Sequence, residues 1–148
     1  MKVRIPAGVA DGQRIRLKGR GAPGRNGGPP GDLFVECSVE PHPLFGREGD
    51  DLTLRVPITY PEAVLGADIQ VPTLDAGKVR IRLKPGTQPG SKHRVKGRGI
   101  ANRKHTGDLI VTVDVAVPRK PTDAEKAAVE TLRDAETVSP RDYLEEAV

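Results

Sequence analysis

Apolar and polar residues alternate with period two along most of the chain. Leu33, Val35, Cys37 and Val39 share one parity, while Phe34, Glu36, Ser38 and Glu40 share the other. Leu109, Val111, Val113, Val115 and Val117 line up in the same way, as do Leu52, Leu54, Val56 and Ile58. Ile15 and Leu17 point inward between Arg14, Arg16 and Lys18, and Val79, Ile81 and Leu83 do so between Arg80, Arg82 and Lys84. Alternation of this kind marks strands with one buried and one solvated face, as in a sandwich.

The pattern also repeats. VRIPAGVADGQRIRLKGRG, residues 3–21, returns 78 residues later as IRLKPGTQPGSKHRVKGRG, residues 81–99. Arg4/Arg82, Gly8/Gly86, Gly12/Gly90 and Arg16/Arg94 match, and KGRG is identical in both. Each KGRG leads through a turn-rich loop, two residues shorter in the second copy, to a strand opening with Gly-Asp-Leu at Gly31 or Gly107. An offset held over three elements indicates two related β subdomains. Between them, Pro61 can open a short helix, PEAVL, which Gly66 ends, and Asp68–Thr73 resumes as a strand. HPLFGREGDD breaks the alternation, so a hinge is expected within His42–Asp51.

The last segment changes period. Thr122-Asp-Ala-Glu125 is a capping-box pattern that predicts a helix to about Glu136, and Ser139-Pro140 is positioned to cap a second, short one. The apolar stripe Ala124, Ala128, Leu132 and Ala135 is modest, so the first helix needs something to pack on, either its own subdomain or a second copy. The expected fold is therefore mainly β, with two tandem sandwich-like subdomains, the first truncated, and a C-terminal helical tail. Residues 1–45 form the remainder of the first subdomain, 46–121 the second, and 122–148 the tail.

Composition narrows the chemistry. Aromatics are 3% of the chain, so the core must come from Val, Ile and Leu. The net charge of +4 hides an asymmetry: residues 78–105 carry ten Lys or Arg and no acid, while 122–148 carry eight acids against three bases. Much of the positive charge lies on outward strand faces and is accounted for by solubility. With one cysteine, Cys37 on an apolar face, neither an intramolecular disulfide nor a CxxC zinc site can form. No signal peptide or membrane span is visible, and a reducing cytoplasm is the expected location. His42, His93 and His105 are scattered, and no serine or cysteine stands in a nucleophile context, so catalysis is not expected.

GRGAPG, Gly19–Gly24, fits G-x-G-x-x-G, but an alternating strand follows where a helix N-terminus would have to hold a pyrophosphate. Nucleic acid is the stronger rival, because Arg and Lys among glycines can track phosphates. Single-strand readers interleave aromatics, however, and residues 78–105 have none. A basic RNA-binding module is thus the alternative reading and not the favoured one.

VRIPAGVADGQRIRLKGRGAPGRNGGPPGDLFVECSVEPHPLFGREGDDL resembles the carboxy-terminal substrate-binding region of the DnaJ heat-shock co-chaperones. VPITYPEAVLGADIQVPTLDAGKVRIRLKPGTQPG resembles the second of that family's two tandem β-sandwich subdomains, and GDLIVTVDVAVP with the helical tail completes the likeness over about residues 2–138. The family's J domain is absent, since His42-Pro43 is followed by Leu44 and not Asp; the zinc modules and the glycine/phenylalanine linker are absent too. The resemblance thus implies a fragment or truncated member with no cofactor in this chain.

By resemblance, the function is non-enzymatic: holding unfolded client polypeptide by strand addition beside an apolar groove, in support of a DnaK-type chaperone. Leu33 and Val35 would supply part of the groove wall, with ordinary sandwich core as their other reading. The family dimerises through the end of its second subdomain and tail, which points to Leu132, Val138, Tyr143 and Leu144 as homodimer contacts.

Overall fold

The computed structural model describes residues 2–148 and divides into two units, one running to Ala116 and one covering Val117–Val148.

Among the described residues, the first unit is built from eight strands and one α-helix. β1 (Arg14–Leu17) and β2 (Leu33–Glu36) form an antiparallel pair with Ile15 opposite Val35 and Leu17 opposite Leu33. A single 3-10 turn, Arg25–Gly27, lies in the loop between them. β3 (Gly46–Glu48), β4 (Asp51–Ile58), β7 (Lys92–Val95) and β8 (Leu109–Val115) form a four-stranded sheet in the order β3-β4-β8-β7. Within it β4 and β8 run parallel, with Leu52, Leu54 and Val56 beside Leu109, Val111 and Val113. β5 (Ala67–Pro72) and β6 (Lys78–Leu83) make a second antiparallel pair.

The alternation read from sequence is what closes this unit. Leu52, Leu54, Ile58, Leu109, Val111 and Val113 from the large sheet share one core with Val71, Ile81 and Leu83 from the β5–β6 pair. Ala63 of α1 (Tyr60–Leu65) joins them. The two sheets therefore sandwich a core of aliphatic side chains, the mainly β architecture expected. α1 starts one residue before Pro61: Thr59 accepts the Glu62 N–H while Glu62 accepts that of Thr59, a capping box closing a six-residue helix.

The duplication holds bond by bond. Gly12 N–H donates to the Cys37 carbonyl (2.7 Å) as Gly90 N–H donates to that of Val113 (2.7 Å). Cys37 N–H donates to Gln13 O and Val113 N–H to Ser91 O. The KGRG turns have Gly19 at φ 71° and Gly97 at φ 74°, left-handed values that a side chain would strain.

Three sequence expectations shift. Val39 and Val117 share the strand parity, yet β2 stops at Glu36 and β8 at Val115, and both valines are exposed. Prolines at 41 and 118 follow closely, and the Val39 N–H turns to Asp11 Oδ1. The expected hinge segment His42–Asp51 instead carries β3, too short to show as alternation. Here Arg47 donates to the carbonyls of Val9 and Gly8 at 2.8 Å each, tying the opening loop of the first copy to the β3–β4 hairpin. His42 Nδ1 accepts from the Leu44 and Phe45 N–H groups, so this histidine shapes a turn.

The second unit holds α2 (Asp123–Ala135) and α3 (Asp142–Glu146). The Thr122–Glu125 capping box forms as the sequence predicts. Ser139 does not cap α3 directly: it accepts the Arg141 N–H in a turn, and the helix begins a residue later. Neither helix has a buried residue within this unit.

Candidate peptide-binding edge

Alternate residues of a strand send their N–H and C=O groups to opposite sides. The bond from Cys37 N–H to Gln13 O fixes that phase for β2: Cys37, Val35 and Leu33 address β1, so Phe34 and Glu36 address the other side. Among the described residues, no strand lies there. In the second copy the same side of β8, at Ile110 and Thr112, is filled by β4.

Burial follows the same division. Leu109 and Val111 are 0% exposed, whereas their counterparts Leu33 and Val35 are only half-buried. Phe34, on the outward face, is 57% exposed, and Cys37 is buried as the pattern predicts. Among the described residues, β2 thus has one unpaired side next to incompletely covered apolar side chains. This arrangement can bind an extended chain of almost any sequence through backbone bonds, with side-chain preference set by the apolar wall.

Asp32 anchors the start of the edge. Its carboxylate accepts the Gly19 N–H (2.9 Å) and the Arg16 Nε–H (2.6 Å). The Gly19 N–H first, and then Arg16, hold this carboxyl below the ordinary aspartate value. Asp108 repeats the device with the Gly97 N–H (3.0 Å) and Arg94 (2.6 Å), and is lowered for the same reasons in the same order. Neither aspartate stood out as a site residue in the sequence, although Gly-Asp-Leu recurs after both KGRG turns, and that recurrence was the signal.

The structure brings Leu33 and Val35 together on one face of β2. Leu132 lies on α2, Val138 between the helices, and Tyr143 and Leu144 on α3; within their unit they are 38%, 76%, 65% and 47% exposed. Among the described residues, no group of three or more His, Cys, Asp or Glu is placed to hold a metal ion. No described helix is long and apolar enough to cross a membrane.

The family model described as the DnaJ C terminal domain matches residues 1–118. The chain is 53% identical over 136 residues to chaperone protein DnaJ 2 of Cutibacterium acnes, covering 91% of this chain and 36% of that protein. It is 52% identical over 136 residues to chaperone protein DnaJ 1 of Streptomyces avermitilis, covering 91% and 34%. The curved DNA-binding protein of Citrobacter koseri is 47% identical over 137 residues, with 93% and 44% covered. This chain therefore spans between about a third and under a half of the length of these curated relatives. With a duplicated β framework, and with the family model covering most of its length, the chain belongs to the DnaJ C-terminal domain family.

Proposed function

We propose that this chain is the client-holding part of a DnaJ-type co-chaperone: it binds unfolded polypeptide as an added strand along β2 and performs no catalysis. The observation that carries this reading is the unpaired side of β2 beside half-buried Leu33 and Val35, seen against the filled and fully buried equivalent in β8. The relatives named as chaperones support it. In the same reading the protein acts in the cytoplasm with a DnaK-type chaperone, needs no cofactor in this chain, and pairs as a homodimer through Leu132, Val138, Tyr143 and Leu144. The test is suppression of aggregation of a chemically denatured protein. The chain should slow the rise of light scattering, and L33Q with V35Q should remove that effect while far-UV circular dichroism stays unchanged. Equal protection by the double variant would sink the strand-addition site.

A second reading, nucleic-acid binding, is favoured by the relatives named curved DNA-binding protein and by the exposed basic row Lys78, Arg80 and Arg82 on β6. Against it, Arg82 of that row is paired with Asp68, and Arg16, Arg55, Arg94 and Arg98 are likewise each paired with an aspartate, which offsets part of the positive charge. Duplex-DNA binding that falls steeply between low and moderate salt, with no effect on aggregation, would favour this reading over the first.

A further inference from the structure

We infer that Arg47, oriented by Asp50, latches the two β copies into one body, and that releasing it turns the exposed segment 38–44 into a hinge. The latch is separate from polypeptide holding and stands whichever surface a client uses.

The covalent link between the copies offers little restraint. Residues 38–44 carry no helix or strand, and every one of them is exposed. The apolar core does not join the copies either. Its buried members run from Phe45 to Val113, and no side chain of β1 or β2 is among them. Units joined by a linker and a polar contact move relative to one another unless specific bonds hold them.

Those bonds converge on the β3–β4 turn. The opening loop of the first copy presents the consecutive carbonyls of Gly8 and Val9, and Arg47 donates to each at 2.8 Å. The guanidinium is aimed from its own side: Nε–H donates to the Gly49 carbonyl (2.7 Å), and Nη2 lies 3.3 Å from Asp50 Oδ1. Asp50 is fixed in turn by the loop that precedes β8. Asn102 Nδ2 donates to Asp50 Oδ2 at 2.8 Å, and His105 Nε2 lies 3.0 Å from the same oxygen. The Ile100 N–H donates to the Asp50 carbonyl at 2.8 Å.

That same loop is the seat for Gly8. At Gly8, with φ 78°, an added Cβ would strike the Ala101 carbonyl and the Ile100 side chain. The grip on the opening loop reaches the first copy's framework. Gly12 N–H donates to the Cys37 carbonyl, and Asp11 Oδ1 accepts the Val39 N–H, so this loop moves with the end of β2. The fork matters as well as the charge. A planar guanidinium sends separate N–H groups to two carbonyls at once, whereas a lysine ammonium is a point charge on a flexible stem.

The test measures residual dipolar couplings on the isotopically labelled full chain, for the amides of β1–β2 and of β4–β8. In the parent, one alignment tensor should fit both sets. R47Q and R47K should each lose that common fit, with the β1–β2 couplings scaled down and the chemical shifts within each set unchanged. G8A should lose it through the seat, and D50A through the misdirected guanidinium. A parent that needs two tensors overturns the latch outright. A common fit retained in R47Q overturns the assignment to Arg47; one retained in R47K overturns the fork, and one retained in D50A overturns the part given to Asp50. Random-coil shifts for β1–β2 in R47Q would mean that Arg47 maintains the fold of that pair, which overturns the hinge. Suppression of aggregation is read separately, so none of these outcomes decides polypeptide holding.

Discussion

Gly31 and Gly107 open identical Gly-Asp-Leu triplets, yet a methyl group at the two positions meets different surroundings. At Gly107 it runs into the Asp50 backbone where β4 crosses; at Gly31 it meets open space. G107A is therefore expected to lower stability by about 1–3 kcal/mol, and G31A to leave it within about 0.5 kcal/mol. Urea denaturation of both variants checks this, and equal effects would contradict the geometry. The paired aspartates carry a second prediction at this scale. Asp32, Asp75 and Asp108 are all lowered below the ordinary aspartate value, Asp75 mainly by the Thr73 hydroxyl and then by the Gly77 N–H. Below the ordinary value the unfolded chain binds more protons than the folded one, so stability rises with pH across that window. The contribution of these groups is complete above it and is lost as pH falls through their lowered folded values. Denaturant midpoints of D32N and D108N should change less over this range than that of the parent chain; a parallel fall would show that these aspartates do not carry the acid sensitivity.

At the scale of elements, the copies behave as an internal control for burial. Leu109 is fully enclosed between the sheets while Leu33 is half-buried. L109A should cost about 2–5 kcal/mol and L33A about 1 kcal/mol, measured by the same denaturant series. For α2, which has no buried residue within its unit, local terms decide. T122A removes an oxygen that accepts the Glu125 N–H at 3.1 Å and should weaken the helix by about 1 kcal/mol, seen as reduced ellipticity at 222 nm. A helix signal equal to that of the parent would mean that packing, not the cap, sets α2. These contrasts also explain what was legible in the sequence. The strands, the duplication, the α2 cap and buried Cys37 could be read because period, spacing and side-chain chemistry are local signals. The parallel β4–β8 pairing could not, since β4 and β8 alternate alike whichever neighbour they take. Nor could β3, whose three residues are too few for a period, or the Arg47 clamp, which joins backbone carbonyls 38 and 39 positions away. The half-buried state of Leu33 and Val35 was invisible for the same reason: parity says which face a residue takes, and only the neighbouring strand says how far that face is covered.

For the whole molecule, the question is what the acidic, helical second unit does with its apolar residues. Val129, Leu132, Val138, Tyr143 and Leu144 are all exposed within that unit, alongside an excess of acids. A short amphipathic helix is marginal unless its apolar face is covered, and the proposed homodimer contact through Leu132, Val138, Tyr143 and Leu144 would supply that cover. Multi-angle light scattering should then give twice the chain mass for the full protein and a single chain mass after removal of residues 122–148. Because the proposed contact is apolar, the dimer should persist as salt is raised to about 1 M, where the Debye length falls to about 3 Å. A contact held by the acidic residues against the basic strand faces would instead dissociate under that screening. Identical masses with and without residues 122–148 would remove the tail from the assembly. A dimer that dissociates with salt would move the contact from Leu132, Val138, Tyr143 and Leu144 to the charged residues around them.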